Sequence, residues 1–491
     1  MNIFNKIANK IHIEQDKSGN RQIVQLTYFF TLLFLVLVAY VFIVVYRDSD
    51  EIINNSYNKR ESLYAAKTVR GSITTDNGEI LAYTDVSGGN ERRVYPYGRL
   101  FAHSVGYNTK GKAGIESIAN FRLLNSNILF TERIYNDLNG NKNPGDSVVT
   151  SLNLKAQYAA YEALGNRKGA VVLMDANNGY ILAMVSKPDF DPNEIDYIWD
   201  EITNQEENSI LLNRATQGLY PPGSTFKILT ALEYIKENKN IDNYEFECKG
   251  SFEYRGTRIN CFHGTAHGDI DFDKSFAKSC NSSFANITTK LSKESFKNTC
   301  EELLFNEEMP SPLLINKRSS FNVKESFVPI NSKSSVDELM QTGIGQGRTE
   351  VTPYHMCLMS AAIANEGVLM NPIIVKEIET AYGDHIESCS VRPYKRLLSY
   401  DDSVKVKELM REVVTDGTGT ALNNGNGYIA YGKTGSAEFS SNKSESHAWF
   451  TGFAEGDNGS KVAISVIVEG GGSGGQVAGP VAKAVFDAYY N

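Results

Sequence analysis

Residues 220–234 read YPPGSTFKILTALEY. Two prolines and a glycine precede a serine and a lysine that stand three positions apart. Pro221, Pro222 and Gly223 do not readily continue a helix, whereas STFKILTALEYIK can begin one. On that helix Ser224 and Lys227 fall at i and i+3, on one face. Such a serine either caps the helix or attacks a substrate, and the local chemistry fits both. A hydroxyl of high pKa needs a base within hydrogen-bond reach, and a lysine kept neutral by burial and neighbouring cations can be that base. The helix N-terminus adds a positive field and free N–H groups that could stabilise an oxyanion.

Two further stretches decide between these readings. In KSCNSSF, residues 278–284, Ser279 and Asn281 flank Cys280. A second hydroxyl could relay a proton, and an asparagine could hold a substrate amide. In YGKTGSAEF, residues 431–439, Lys433, Thr434, Gly435 and Ser436 offer a cation, two hydroxyls for a carboxylate, and a glycine that lets a ligand approach the backbone. Taken singly, the first reads as a turn or cap and the second as a hairpin edge. Jointly they are far more specific. Ser-x-x-Lys, then Ser-x-Asn 55 residues on, then Lys-Thr-Gly 154 further, form one ordered set.

The rest of the chain bounds the setting. At 491 residues it exceeds one typical domain and can bury a core. A net charge of -9, with no Lys/Arg patch interleaved with aromatics, argues against nucleic acid as a partner. From Ile23 to Tyr46 the chain runs 24 residues without a charge. As a helix this spans about 36 Å, enough for a bilayer core of about 30 Å. No small-residue cleavage site follows, so an anchor is expected rather than a signal peptide. Lys6, Lys10, Lys17 and Arg21 precede it and RDSDE follows, which places residues 1–22 as a cytoplasmic tail and the remainder outside. A buried core helix of this kind would be unusually long and unbroken.

Beyond the anchor, residues 50–150 read as a small mixed membrane-proximal module. Its first 20 residues look like a helical stalk, and Asn77-Gly78 marks a two-residue hairpin. Residues 151–491 form the main domain. LNLKAQYAAYEALG is helical, and strand-like runs at 170–174 and 180–185 join through Asn177-Asn178-Gly179. At the far end HAWFTGFAE and KVAISVIVEG are strand-like and VAGPVAKAVFDAYY helical. These predict an α+β domain in which strands from both ends share an antiparallel sheet flanked by helices, with a helical region from about 224 to 420 between them.

With these motifs in order, the chain resembles the class B, monofunctional penicillin-binding proteins, and its short pedestal resembles their compact penicillin-binding protein A subgroup. RGSITTDNGEILA is similar to the family's pedestal motif. GAVVLMDANNGYILAMVSKPDFDPN and LLNRATQGLYPPGSTFK resemble the entry to its transpeptidase domain, and TGIGQGRTEVTPYHMCLMSAAIANEGVLMNP and DGTGTA its helical region. The resemblance implies a penicillin-binding/β-lactamase-like fold and a peptidoglycan D,D-transpeptidase. Ser224 would attack the D-Ala-D-Ala carbonyl of a donor stem peptide with Lys227 as base. Ser279 would shuttle the proton beside Lys433, Asn281 would orient the peptide amide, and Thr434, Gly435 and Ser436 would bind the substrate's end. The N–H groups of Ser224 and Ser436 would form the oxyanion hole. An acceptor-strand amine would take the acyl group, and β-lactams would leave a stable acyl-Ser224. No cofactor is required for this chemistry. A separate membrane glycosyltransferase is the implied partner, contacted through residues 23–46 and the pedestal. A D,D-carboxypeptidase, a β-lactam sensor and a scaffold remain rival uses of the same fold.

Two stretches stand apart. EELLFN at 301–306 approaches the deacylating loop of β-lactamases, yet reads as plain amphipathic helix, so Glu302 is not expected to deacylate. In CKGSFEYRGTRINCFHGTAHGD, Cys248, Cys261, His263 and His267 could build a structural tetrahedral Zn²⁺ site. A disulfide or free thiols fit the same spacing.

Overall fold

The computed structural model describes residues 17–53, 60–204, 209–238, 240–315, 317–318, 321–438 and 446–491. Two compact units emerge, Met1–Asn58 and Lys59–Asn491. In the first, a single helix spans Lys17–Ile53. Its segment Gln22–Val44 has a mean hydropathy of 2.5 and none of it is buried. A helix that exposes Phe29, Leu33, Leu37 and Phe42 to its surroundings on all sides suits lipid rather than water, so it is consistent with single-pass anchoring. Lys6 and Lys10 of the expected cytoplasmic tail, and residues 54–59 of the expected stalk, lie outside the described residues.

The second unit is organised by two sheets. One has five strands in the order Tyr428–Glu438, Ser446–Gly456, Lys461–Val468, Gly169–Asp175, Ile181–Lys187, all antiparallel. Strands from both ends of the domain therefore share it, as the sequence predicts. The inner strands read as continuous apolar runs because both faces are covered. Helices Leu154–Leu164 and Gly479–Tyr490 pack together on one face. Pro353–Ala364, buried along its whole length, packs on the other. Asn153 starts the first of these by accepting from the Ala156 N–H at 2.9 Å, and Thr352 starts the last by accepting from the His355 N–H at 3.1 Å.

The other sheet is built jointly by Ile73–Thr75, Ile80–Asp85, Arg92–Val94, Ser147–Thr150 and strands between Leu313 and Ser388. The region 224–420 is thus not purely helical. Its strand Ile373–Glu379 pairs with Ser147–Thr150, as the β-branched run IIVKEIE after Asn371-Pro372 favours. The pedestal hairpin also differs in detail. Asp76 joins Asn77 and Gly78 in the turn, with the Thr75 N–H bonded to Glu79 O at 2.9 Å and Gly78 at φ 87°, a three-residue loop that needs its glycine left-handed.

Candidate active site

Ser224 lies on a 3₁₀ turn, Gly223–Phe226, and the α-helix begins only at Lys227. The expected continuous helix from Ser224 is therefore replaced by a tighter turn, in which i and i+3 eclipse, so Lys227 still stacks over Ser224. Pro222, which lacks an N–H, leads into this turn. Its position is held by main-chain bonds on either side: Tyr220 and Val351 pair at 3.0 and 2.8 Å, and the Gly223 N–H donates to Gly345 O at 2.8 Å. The Trp449 indole donates to Pro221 O at 3.0 Å. Ser224 makes no capping bond among the described residues, so the helix-cap reading fails. It lines instead a cleft of about 380 Å³, together with Asn260, Asn281, Gln346, Ser436 and Glu438.

The Ser-Cys-Asn triplet forms the turn between helices Phe272–Ala277 and Asn281–Thr288. Ser279 sits at φ 57°, a left-handed conformation that costs a non-glycine residue on the order of 1–2 kcal/mol and is held by the packing around it. Lys227 Nζ donates to Ser279 O and to Asn281 Oδ1, both at 2.7 Å, and Lys433 Nζ donates to Ser279 Oγ at 2.8 Å. The Asn281 Nδ2 donates to Asn260 O at 3.1 Å, which fixes the amide's orientation. Ser224, Lys227, Ser279, Asn281 and Lys433 are thus gathered at one place.

Both lysines are fully buried. Lys227 rests against the Phe284 ring and Lys433 against Phe276. Burial lowers the Lys227 pKa to about 8. Burial, and then the charge of Lys227, push Lys433 well below the ordinary lysine value. A neutral amine has two N–H groups and one lone pair. Lys227 Nζ also lies 3.4 Å from Ser279 Oγ, and a neutral Lys227 that donates its two N–H groups to Ser279 O and Asn281 Oδ1 has one lone pair able to take a proton. No Ser224–Lys227 hydrogen bond is formed among the described residues.

Lys433–Ser436 occupy the strand Tyr428–Glu438, an edge of the five-stranded sheet. A Cβ on Gly435 would come within 3.0 Å of Pro222 O and 3.1 Å of Thr225 Cγ2, so glycine lets this strand approach the Ser224 turn. Thr434 shares a hydrogen bond with Thr418, hydroxyl to hydroxyl at 2.5 Å, and Ser436 Oγ accepts from the Gly474 N–H at 3.3 Å. Thr418, in DGTGTA, and Asn260 were not singled out from sequence. Only their spatial neighbours reveal them. Glu302 lies at the end of helix Lys293–Glu302, exposed and paired with Lys236 at 2.7 Å, and does not line the cleft.

The cysteine stretch is corrected in one member. Cys248, Cys261, His267 and Cys280 bring their ligand atoms within 4.8 Å of one another. His263 is excluded: it turns outward at φ 53°, exposed, against the Phe262 ring. Pairing of Glu245–Cys248 with Gly268–Asp271 sets Cys248 opposite Gly268 and so brings His267 alongside it. The Cys248–Cys261 and Cys261–Cys280 sulfur separations are both 3.6 Å, and all three thiols are free. Hydrogen bonds from Cys280 and Ser282 draw the Cys261 pKa down.

The chain matches the model of the penicillin binding protein transpeptidase domain over residues 169–487 and that of the penicillin binding protein A dimerisation domain over 70–148. It is 29% identical over 463 residues to the peptidoglycan D,D-transpeptidase PbpA of Mycolicibacterium smegmatis, covering 88% of this chain and 91% of that protein. A crystal structure of the D,D-transpeptidase domain of a peptidoglycan glycosyltransferase from Eggerthella lenta superposes with a TM-score of 0.76 at 28% identity, covering 86% of this chain and 98% of that one. The ceftriaxone acyl-enzyme complex of penicillin-binding protein A from M. tuberculosis gives 0.77 at 26% identity, covering 88% of this chain and 100% of that one.

Proposed function

The chain belongs to the penicillin-binding protein transpeptidase family and is a serine-type peptidoglycan D,D-transpeptidase, and on that premise we propose how its own residues divide the work. Neutral Lys227 takes the Ser224 proton as Oγ attacks the carbonyl between the two D-alanines. The C–N bond to the terminal D-alanine then breaks, and the departing amine receives a proton through Ser279, whose hydroxyl Lys433 holds at 2.8 Å. Asn281 orients the donor amide. The hydroxyls of Thr434 and Ser436 receive the terminal carboxylate, and the N–H groups of Ser224 and Ser436 hold the oxyanion. An amine from a second stem peptide then displaces Ser224, forming the crosslink. The observation that carries this reading is the bonding of two buried lysines to one residue, Ser279, beside Ser224. Product analysis tests it: a D-Ala-D-Ala donor with an acceptor amine should yield crosslinked peptide, whereas hydrolysed donor alone would make the enzyme a carboxypeptidase.

The Lys/Arg bias ahead of the apolar helix supports a cytoplasmic N-terminus and an extracytoplasmic catalytic domain. In this arrangement 1–22 is the tail, 23–46 the anchor, 50–150 the pedestal and 151–491 the transpeptidase domain. The proposed partner is a separate membrane glycosyltransferase, which docks on the anchor and pedestal. Co-purification with such an enzyme, lost when 23–46 is exchanged for an unrelated anchor, tests that partnership.

Acyl transfer itself needs no cofactor. Cys248, Cys261, His267 and Cys280 fit a structural zinc ion. They supply three sulfurs and an imidazole nitrogen, and sulfurs on a tetrahedral zinc stand about 3.7 Å apart given Zn–S bonds of about 2.3 Å. The observed 3.6 Å separations match. Bound there, zinc would staple the strands around Cys248 to the Ser279 turn. Metal analysis of the full-length protein should find one zinc per chain, and its absence would end the assignment.

A further inference from the structure

Resting on the transpeptidase reading, the cleft also indicates which side chain the donor must carry. The strand Tyr428–Glu438 is a sheet edge beside Ser224, so an extended peptide can add to it as another strand. Side chains at i, i+2 and i+4 share one face of a strand. Thr434, Ser436 and Glu438 therefore form a row of hydroxyl, hydroxyl and carboxylate. If the first two receive the terminal carboxylate and the oxyanion lies at the Ser436 N–H, the donor runs away from Ser224 toward Glu438. Two residues of extended chain cover about 7 Å, the step from Ser436 to Glu438. Glu438 thus faces the residue that precedes D-Ala-D-Ala.

The far end of the edge is closed. With its amide oriented to satisfy both groups, Gln346 donates to Glu438 O at 3.3 Å and accepts from the Glu438 N–H at 3.2 Å. A bound peptide cannot pair with the main chain there, which leaves the exposed Glu438 side chain as the contact. No cation pairs with that carboxylate among the described residues. The reaction supplies one: stem peptides serve as both donor and acceptor, so a stem whose side-chain amine accepts the acyl group carries an ammonium when it is the donor.

We propose that Glu438 is a specificity residue that reads the side-chain ammonium of the donor residue preceding D-Ala-D-Ala. Lysine or a diamino diacid could supply that ammonium. Arg258 lines the cleft as well, as a cationic group for the second carboxylate of a diamino diacid.

The test uses full-length protein in detergent and donors X-D-Ala-D-Ala with X as lysine, 2,6-diaminopimelate or norleucine, and follows D-alanine release with a fixed acceptor amine. Wild type should prefer ammonium-bearing donors by about fivefold in kcat/KM, the scale of an exposed charge pair. Glu438→Gln should erase that ratio, Glu438→Lys invert it, and Glu438→Asp retain part of it. A purely structural role would lower all donors together. Loss on the diaminopimelate donor alone in Arg258→Gln assigns the diamino diacid as the source, and an unchanged ratio assigns lysine. No preference in wild type, or an unchanged ratio in Glu438→Gln, overturns the proposal. Fluorescent penicillin labelling of wild type at Ser224 runs alongside. Its failure would strike the transpeptidase reading, whereas labelling without donor discrimination strikes only the role of Glu438.

Discussion

Lys433 reaches across 154 residues of chain to donate from Nζ to the Ser279 hydroxyl at 2.8 Å. Lys227 holds the same residue from the other side through its carbonyl at 2.7 Å. Both buried amines thus meet at Ser279, whose hydroxyl is the proposed relay to the departing amine. Replacing Lys433 by alanine should slow β-lactam acylation by about 10²- to 10⁴-fold, the range of a lost proton-transfer partner. Lys433→Arg should not rescue it, because the site is fully buried and packed against Phe276. Stopped-flow acylation measures both, and a less than threefold loss in Lys433→Ala would remove Lys433 from the relay.

The pH profile follows from Lys227. Burial lowers its pKa to about 8, and only the neutral form can accept the Ser224 proton. Below about 8 the neutral fraction, and with it the second-order acylation rate, falls roughly tenfold per pH unit; above it the rate levels off. Rates measured from pH 6 to 9.5 that stay flat would show that Lys227 is not the base.

Trp449 ties the sheet to the turn that carries Ser224. It is fully buried, donates to Pro221 O at 3.0 Å and meets Tyr220 edge-to-face at 6.2 Å. Trp449→Ala should cost about 3–5 kcal/mol of stability. Trp449→Phe keeps most of the apolar contact and loses one hydrogen bond, about 1 kcal/mol. Denaturant unfolding gives the stability change. Acylation of Trp449→Phe should slow as the Pro221–Pro222 segment loosens, and an unchanged rate would mean that the turn holds without the indole.

If zinc joins Cys248, Cys261, His267 and Cys280, a strong chelator should lower the unfolding temperature, and added zinc should restore it. The Cys280→Ser protein should bind zinc more weakly and unfold earlier. A chelator that leaves calorimetric unfolding unchanged would leave these residues as a buried thiol cluster.

Much of this site was legible because its chemistry is written in short local runs. YPPGSTFK, KSCN and YGKTGS each fix their own backbone through proline, a left-handed turn or a bare glycine, and their order along the chain named the set. The strands at both ends of the domain were legible for a similar reason, as apolar runs covered on both faces. What escaped depended on distant pairing. Cys280 stood inside a motif as a mere spacer, and only the packing of the Ser279 turn against Cys261 makes it a ligand candidate. His263 and His267 looked equivalent in sequence; pairing of Cys248 with Gly268 selects His267. Asp76 enters the pedestal turn through register, which Asn77-Gly78 alone does not specify. Thr418 and Gln346 contribute through a hydroxyl or amide that meets its partner only after the loops fold over the strand Tyr428–Glu438.

The central claim is that Ser224 forms the acyl bond, and it is tested most directly by peptide mapping of the full-length protein after reaction with a fluorescent penicillin. One adduct per chain is expected, on the peptide containing Ser224 and stable for far longer than seconds, with none on Ser224→Ala that is otherwise folded. Equal labelling of Ser224→Ala, or an adduct mapped to another residue, would contradict the account.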